Sequence, residues 1–505
     1  MPQPWWKSAV VYQVYPRSFR DTDGDGVGDL EGIRRGLPHL QWLGVDALWL
    51  SPIYKSPMAD FGYDVADHCD VDPAFGTLAD MDRLIAEAHD RGLRVLLDWV
   101  ANHTSDQHPW FQASRSSRDH PMRDWYVWRD RPNNWVAAIG DGPAWTFDPA
   151  TDQHYLHLFL PQQPDLNWAN PQVQQAMHDT LRFWLDRGVD GFRADVIHLI
   201  GKDPALPDDP PHLVGTSRVG RHDEPRTHEL LRGIRAVLDS YPGERMMVGE
   251  VNLDAHERIA RYYGRGDQLH LAFDFVPLYA AWDAAVWRGV VADVERVFGA
   301  ADAWPTWVLS NHDQPRHRSR YGGGEARARA AAVLLLTLRG TPFLYAGEEL
   351  GLTDAEIPPG RAVDPGGRDG CRAPLPWEPG PAHGWASPDP WLPWPPCAEE
   401  RNVATLRARP DSILHLYRRL LAARRASPAL SLGSLEMLDT PAGVLGYVRA
   451  AGDHRRTVLV NFHDEPADAP LAGDHVVEVA SDGAGEGGPY GGRLAPTQGV
   501  VLRPA

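Results

Sequence analysis

The chain has 505 residues, 43% hydrophobic and 23% charged, a balance that suits a globular protein of more than one domain. A formal net charge of −18 leaves no basic face for phosphates, which excludes nucleic acid as a partner. The N-terminal stretch carries one lysine and no long apolar core, so neither a signal peptide nor a membrane span is expected. Cys69, Cys371 and Cys397 have no metal or redox spacing, and the chain reads as a cytoplasmic protein with free thiols.

Eight short apolar runs alternate with amphipathic stretches, at 10–15, 47–52, 94–100, 191–196, 245–251, 271–275, 307–313 and 341–349. Residues 79–91 set Met81, Leu84, Ile85 and Ala88 on one helical face before Gly92. Residues 171–187 open with Pro171 and are followed by Gly188, the asymmetry of a helix start and stop. Eight strands with crossover helices describe an α/β fold, a (β/α)8 barrel. The rhythm breaks after the third run, where 104–170 is long enough for an inserted subdomain. It breaks again after the eighth, where 351–410, rich in Pro, Gly and Trp, forms a loop over the barrel mouth. From 433 to 505, strand-like pieces between turns predict a C-terminal antiparallel β-domain, a β-sandwich. The expected barrel therefore comprises 1–103 and 171–432.

In such barrels the chemistry gathers at the C-terminal ends of the strands. Those ends carry Asp98, Asn102 and His103, then Arg193 and Asp195, then Glu250, and finally Asn311, His312 and Asp313. Arg193 lies two residues before Asp195, so both side chains point to one side of the strand. Asp195 and Glu250 end neighbouring strands, and parallel strands lie about 4.8 Å apart. A carboxyl pair about 5–5.5 Å apart is the retaining glycosidase arrangement. On that reading Asp195 is the nucleophile, Glu250 the acid/base, and Asp313 binds sugar hydroxyls more tightly as the ring flattens. His103 and His312 are expected to donate to sugar hydroxyls, since neither has a partner at metal-ligand spacing.

The motifs DWVANH (98–103), GFRADVIHL (191–199), VGEV (248–251) and SNHD (310–313), in that order, resemble the four signature regions of the α-amylase family of glycoside hydrolases. The likeness spans essentially the whole chain. It implies the same three roles for Asp195, Glu250 and Asp313, subsite −1 contacts from Arg193, His103 and His312, and no organic cofactor. QPDLNW (163–168), DFGYDVADH (60–68) and CRAPLPW (371–377) are similar to the oligo-1,6-glucosidase branch. That branch includes α-glucosidases, dextran glucosidase, sucrose isomerases and trehalose-6-phosphate hydrolase. The resemblance implies that Asp60 and Arg372 close the pocket and hold the terminal glucose. It also implies that Tyr63 stacks on the ring, that Phe159 forms a second wall, and that Gln163 joins the binding residues. A closed pocket means exo action on short oligosaccharides. In relatives, valine directly after the nucleophile accompanies α-1,6 activity, which makes Val196 a linkage residue; a β-branched residue also simply suits a buried strand. Sucrose isomerisation or transglucosylation, trehalose-6-phosphate hydrolysis and an inert carbohydrate-binding or transporter-associated scaffold are the alternatives. A monomer or homodimer acting on small oligosaccharides is expected.

Asp21, Asp23, Asp25, the Val27 carbonyl and Asp29 match positions 1, 3, 5, 7 and 9 of an EF-hand loop. Gly32 stands where the bidentate glutamate would be, so the loop is not an EF-hand. Similar loops in the branch hold one calcium, and a structural Ca²⁺ on these five residues is expected, with Mg²⁺ as competitor.

Overall fold

The computed structural model describes residues 3–140 and 142–505. Eight parallel strands form one sheet: β1 (Val11–Val14), β2 (Ala47–Leu50), β3 (Arg94–Val100), β4 (Gly191–Asp195), β5 (Met246–Gly249), β6 (Leu271–Ala272), β7 (Thr306–Val308) and β8 (Thr341–Tyr345). Their order is β6-β5-β4-β3-β2-β1-β8-β7, a barrel laddered everywhere but between β6 and β7. Thr306 bridges that seam. Its hydroxyl donates to the Ala272 carbonyl at 2.9 Å and accepts from the Asp274 N–H at 3.3 Å. All eight apolar runs become strands. The fifth to eighth stop short of their runs, because the residues beyond leave the ladder to shape the mouth.

Side chains alternate along the strands. Val11, Trp49, Leu96, Val248 and Phe343 fill the barrel interior. Tyr12, Leu48, Leu97, Phe192 and Ala194 pack outward against the helices. Arg193 and Asp195 are out of step with Phe192 and Ala194 and therefore face inward. The helix Leu78–Asp90 buries Met81, Leu84, Ile85 and Ala88 and starts in a Thr77–Asp80 capping box. Asn170 caps the helix Pro171–Asp186 by accepting from the Gln172 N–H at 2.8 Å.

The insertion after β3 contains three short antiparallel strands, Trp128–Arg129, Gln153–Leu156 and Trp145–Asp148, with Gln153–Leu156 in the middle. Its two ends close on each other. His103 and Asp165 form an isolated β-bridge, and the Leu166 N–H donates to the Asn102 carbonyl at 2.9 Å. Lys202, beyond β4, pairs with buried Asp165 at 3.0 Å and ties the insertion to the barrel.

At the C-terminus β9 (Ser434–Met437), β10 (Val444–Ala451), β11 (His454–Asn461), β12 (His475–Ala480) and β13 (Gly499–Pro504) form an antiparallel sheet in the order β9-β10-β11-β13-β12. Both of its faces are buried. Val458, Val460 and Val501 join the barrel-side core, and Leu459, Val500 and Leu502 join a separate cluster. The second layer is only a two-stranded ribbon pairing 467–468 with 493–494, so the expected sandwich is a single full sheet with a partial cover. Cys69, Cys371 and Cys397 are free thiols. Among the described residues no helix is long and apolar enough to cross a membrane.

Candidate active site

Arg193 is the hub of the mouth. Register pairs Asp98 with Arg193 across β3 and β4, and Gly249 with Ala194 across β4 and β5, so Glu250 lies beside Asp195. One guanidinium nitrogen of Arg193 donates to Asp98 and to Asp195, each at 2.7 Å, and the other donates to Glu250. The side chain is 2% exposed and spent on three carboxylates. It aims the three acids and is not among the residues that line the cavity above them.

Three carboxylates around one cation cannot all ionise easily. Burial raises the Asp195 carboxyl, against the pull of Arg193, and Glu250 and Asp98 add to the rise. Burial likewise pushes Asp98 up to about 6. Asp313 behaves oppositely. Burial alone would raise it, but His312 and the guanidiniums of Arg368 and Arg372 hold it well below the usual carboxylate range.

Val196 follows β4 in the left-handed region, φ 34° and ψ 40°. That backbone directs its N–H at Glu250, 3.1 Å away, while its side chain lines the cavity. A β-branched residue in this conformation is strained, so strand propensity does not explain the valine. The strand has already ended.

A cavity of about 480 Å³ opens over these groups and is lined by Asp60, Tyr63, His103, Phe159, Gln163, Asp195, Val196, Glu250 and Asp313, among others. One end is closed by an ion pair: Arg368 donates to Asp60 at 2.6 Å and to Asp313 at 3.0 Å. The Gln163 amide donates to Asp60 and faces His103, each at 3.1 Å, a meeting made by the closed ends of the insertion. Phe159 tilts over His103 with ring centres 5.2 Å apart. Tyr63 stacks on His312 at 5.5 Å, with its hydroxyl 2.7 Å from Nε2 and 3.0 Å from Asp98. The Gln13 amide faces His312 Nδ1 at 2.7 Å, which assigns the ring proton to Nε2 and directs it to Tyr63. Burial lowers His312 to about 3 and His103 to about 4, so both rings are neutral near pH 7.

A family model described as "Alpha amylase, catalytic domain" matches residues 13–433. The chain belongs to the alpha-amylase family. A probable alpha-glucosidase of Rhizobium meliloti is 45% identical over 92% of this chain and 91% of its own. An oligo-1,6-glucosidase of Parageobacillus thermoglucosidasius is 37% identical over 94% of this chain and 93% of its own. The crystal structure of the alpha-glucosyl transfer enzyme XgtA superposes with a TM-score of 0.92 at 41% identity, covering 100% of both chains.

Within this alpha-amylase barrel two expected substrate residues stand behind the cavity wall. Arg372 is fully buried and donates to the His312 carbonyl at 2.7 Å and to Asp313 at 3.1 Å. Arg368, four residues earlier, takes the pocket position that the motif reading assigned to Arg372. The two arginines share the stretch GGRDGCR, and spacing alone did not say which would reach Asp60. His312 is 1% exposed and engaged by Gln13 and Tyr63, with Nε2 also 3.2 Å from Asp313, so it braces the site.

In the 21–29 loop, Asp21, Asp23 and Asp29 bring carboxylate oxygens within 4.8 Å of one another. Hard oxygen donors in this number suit a calcium-sized cation. Asp25 stands outside the group, its carboxylate accepting from the Val27 N–H at 2.7 Å. Asp29 also caps the helix Leu30–Leu43 by accepting from the Gly32 N–H. Ser387, in the long loop after β8, donates its N–H to Asp21 at 2.9 Å, which couples the loop to the mouth.

Proposed function

We propose that this protein is a retaining, exo-acting α-glucosidase releasing glucose from the non-reducing ends of short α-glucosides. The observation that carries this is one guanidinium gripping Asp195 and Glu250 at adjacent strand ends, beside a cavity closed by Asp60 and Arg368. Asp195 attacks the anomeric carbon while Glu250 protonates the departing oxygen, giving a glucosyl ester on Asp195. Glu250 then takes a proton from water as water displaces Asp195, so the configuration is retained. Asp313, kept anionic by two arginines, stabilises the developing positive charge on the ring.

The closed end favours chain-end glucose over internal starch. Val196, strained and facing the cavity, supports α-1,6 cleavage, as do relatives named for 1,6 activity. Isomaltose should be cleaved at least as well as maltose, and turnover of maltose alone would overturn the linkage reading. A phosphorylated substrate gains no support. Arg316, Arg318 and Arg320 donate to the carbonyls of Ala346, Gly351 and Leu309, and Arg368 is already paired with aspartates. Glucose released from a chromogenic α-glucoside by the parent, and not by Asp195→Ala, is the expected result. Equal release by both would refute the mechanism, and no release by either would leave the scaffold reading.

The same reading includes a structural divalent cation held by Asp21, Asp23 and Asp29, which would cross-link the first mouth loop. The free thiols suit a reducing compartment and a cytoplasmic site of action.

A further inference from the structure

The foot of the barrel, opposite the mouth, carries a smaller cavity of about 200 Å³. It is lined by Gln3 and Lys7 from the segment before β1, Asp302 and Trp304 from the segment before β7, Arg339 just before β8, and Leu432. Two cations share the Trp304 ring, Lys7 at 5.6 Å and Arg339 at 5.3 Å from its centre. The walls are tied together. Trp304 Nε1 donates to the Thr341 hydroxyl at 3.1 Å, and that hydroxyl donates to the Trp6 carbonyl at 2.7 Å. A ligand there meets a site already formed.

The charges around it do not balance. The sequence has three lysines. Lys55 pairs with Asp70 and Lys202 with Asp165, and among the described residues Lys7 has no carboxylate partner. Arg339 binds Glu295 through Nε at 2.7 Å, and its Nη2 has no hydrogen-bond partner in the protein. Close by are two wholly buried arginines that, among the described residues, pair with no carboxylate. Arg424 donates to the carbonyls of Leu336, Leu338, Leu430 and Gly340, and Arg449 to those of Thr337, Gly433 and Ser434. Burial lowers Arg424 to about 10. It lowers Arg449 to about 9, with Arg424 and Arg339 adding to the fall. Asp46, which Arg424 also feels, is already paired with Arg425 at 2.7 Å. Four cations thus face two carboxylates, Glu295 and Asp302, in a chain whose net charge is −18. A local excess of positive charge at low dielectric attracts an anion.

We propose that this cavity binds a phosphate group, inorganic or carried by a small ester, between Lys7 and Arg339, and thereby staples the starts of β1, β7 and β8. The Lys7 ammonium and the Arg339 guanidinium supply charged donors of the kind phosphate oxygens take, and the Gln3 amide a neutral one. The cavity volume is ample for a phosphate group. Asp302, exposed on the rim, opposes the anion and limits its affinity. The site is separate from the catalytic carboxyl groups and holds whether or not the glucosidase reading does.

The test melts the full chain in inorganic phosphate, glycerol 3-phosphate or chloride at matched ionic strength. Each phosphate is kept near about 10 mM, below the range where such anions stabilise proteins generally. Both phosphates should raise the melting temperature saturably, because a ligand that binds only the folded chain stabilises it. A larger effect of the ester marks a small monoester as the occupant, and an equal or smaller one marks the free anion. Lys7→Gln should raise the phosphate concentration needed by at least about tenfold. Asp302→Asn should lower it severalfold, and asparagine tolerates the left-handed φ of 49° at this position. Phosphate should also slow acetylation of Lys7 by acetic anhydride and leave Lys55, 44% exposed, as reactive as before. No shift beyond that in chloride overturns the proposal, as does a shift unmoved by both substitutions. Acetylation of Lys7 at one rate with and without phosphate overturns it equally.

Discussion

Arg193 shows how one residue can set the chemistry of several others. Through one guanidinium it holds Asp195 and Glu250 at neighbouring strand ends and offsets part of the cost of burying them beside Asp98. Glu250→Gln should slow hydrolysis of unactivated maltose by roughly 10²–10⁴-fold. It should slow the first step far less when nitrophenol leaves, and a burst experiment separates the two. Arg368 and Arg372 should part company as well. Arg368→Ala opens the closed end and should act mainly on kcat/KM. Arg372→Ala removes a wholly buried cation from beside Asp313 and Asp364 and should also cost about 3–5 kcal/mol of stability, read from thermal melts. Burial raises Glu348, fully enclosed after β8, to about 8, and its Oε2 has no hydrogen-bond partner in the protein. An unfolded glutamate titrates near about 4.3. The folded state therefore holds this proton more tightly, and stability is lost as pH rises from about 4.3 through about 8. Glu348→Gln should melt higher than the parent at pH 8, with the gap shrinking toward pH 5.

Among the elements, the loop 21–29 and the helix it opens are the tightest construction. A Cβ on Gly32 would stand 2.0 Å from the Arg20 carbonyl oxygen, and one on Gly28 would stand 2.2 Å from the Pro16 carbonyl oxygen. Neither clash can be relieved without moving backbone. Gly32→Ala should cost about 2 kcal/mol or more, and a chelator should lower the melting temperature of the parent if the cation staples this loop. A melt unchanged by chelator, with no metal on elemental analysis, would remove the cation. Thr306 does for the barrel seam what ladder bonds do elsewhere. Thr306→Val strands the Ala272 carbonyl and the Asp274 N–H, at an expected cost of about 1–3 kcal/mol.

At the scale of the molecule, the barrel and the C-terminal sheet share one helix. Glu325–Thr337 buries nearly its whole length, from Ala328 and Ala330 through Thr337, with the barrel helices on one side and the sheet on the other. Arg449 of β10 is fully buried and donates to the carbonyls of Thr337, Gly433 and Ser434, completing the C-terminal end of that helix. Removing residues from 433 onward would expose an apolar helix face and uncap it. The truncated chain should fail to fold, and the full chain should melt in one cooperative transition.

Much of this was written locally. Strand alternation put Arg193 and Asp195 inward, and the helix over residues 78–90 buries the four residues its period marks. The order of eight strands then placed Asp195 beside Glu250, because consecutive parallel strands in a barrel are neighbours. Other features depend on contacts between residues far apart in the chain. Whether Arg368 or Arg372 reaches Asp60 is decided by the fold of the long loop after β8. The meeting of His103 with Gln163 needs the insertion to close on itself. Val196 changes meaning because Glu250, from the next strand, accepts its N–H and the backbone turns left-handed to deliver it. Periodicity along the chain determines which face a residue occupies, and only packing across the chain determines what it meets there.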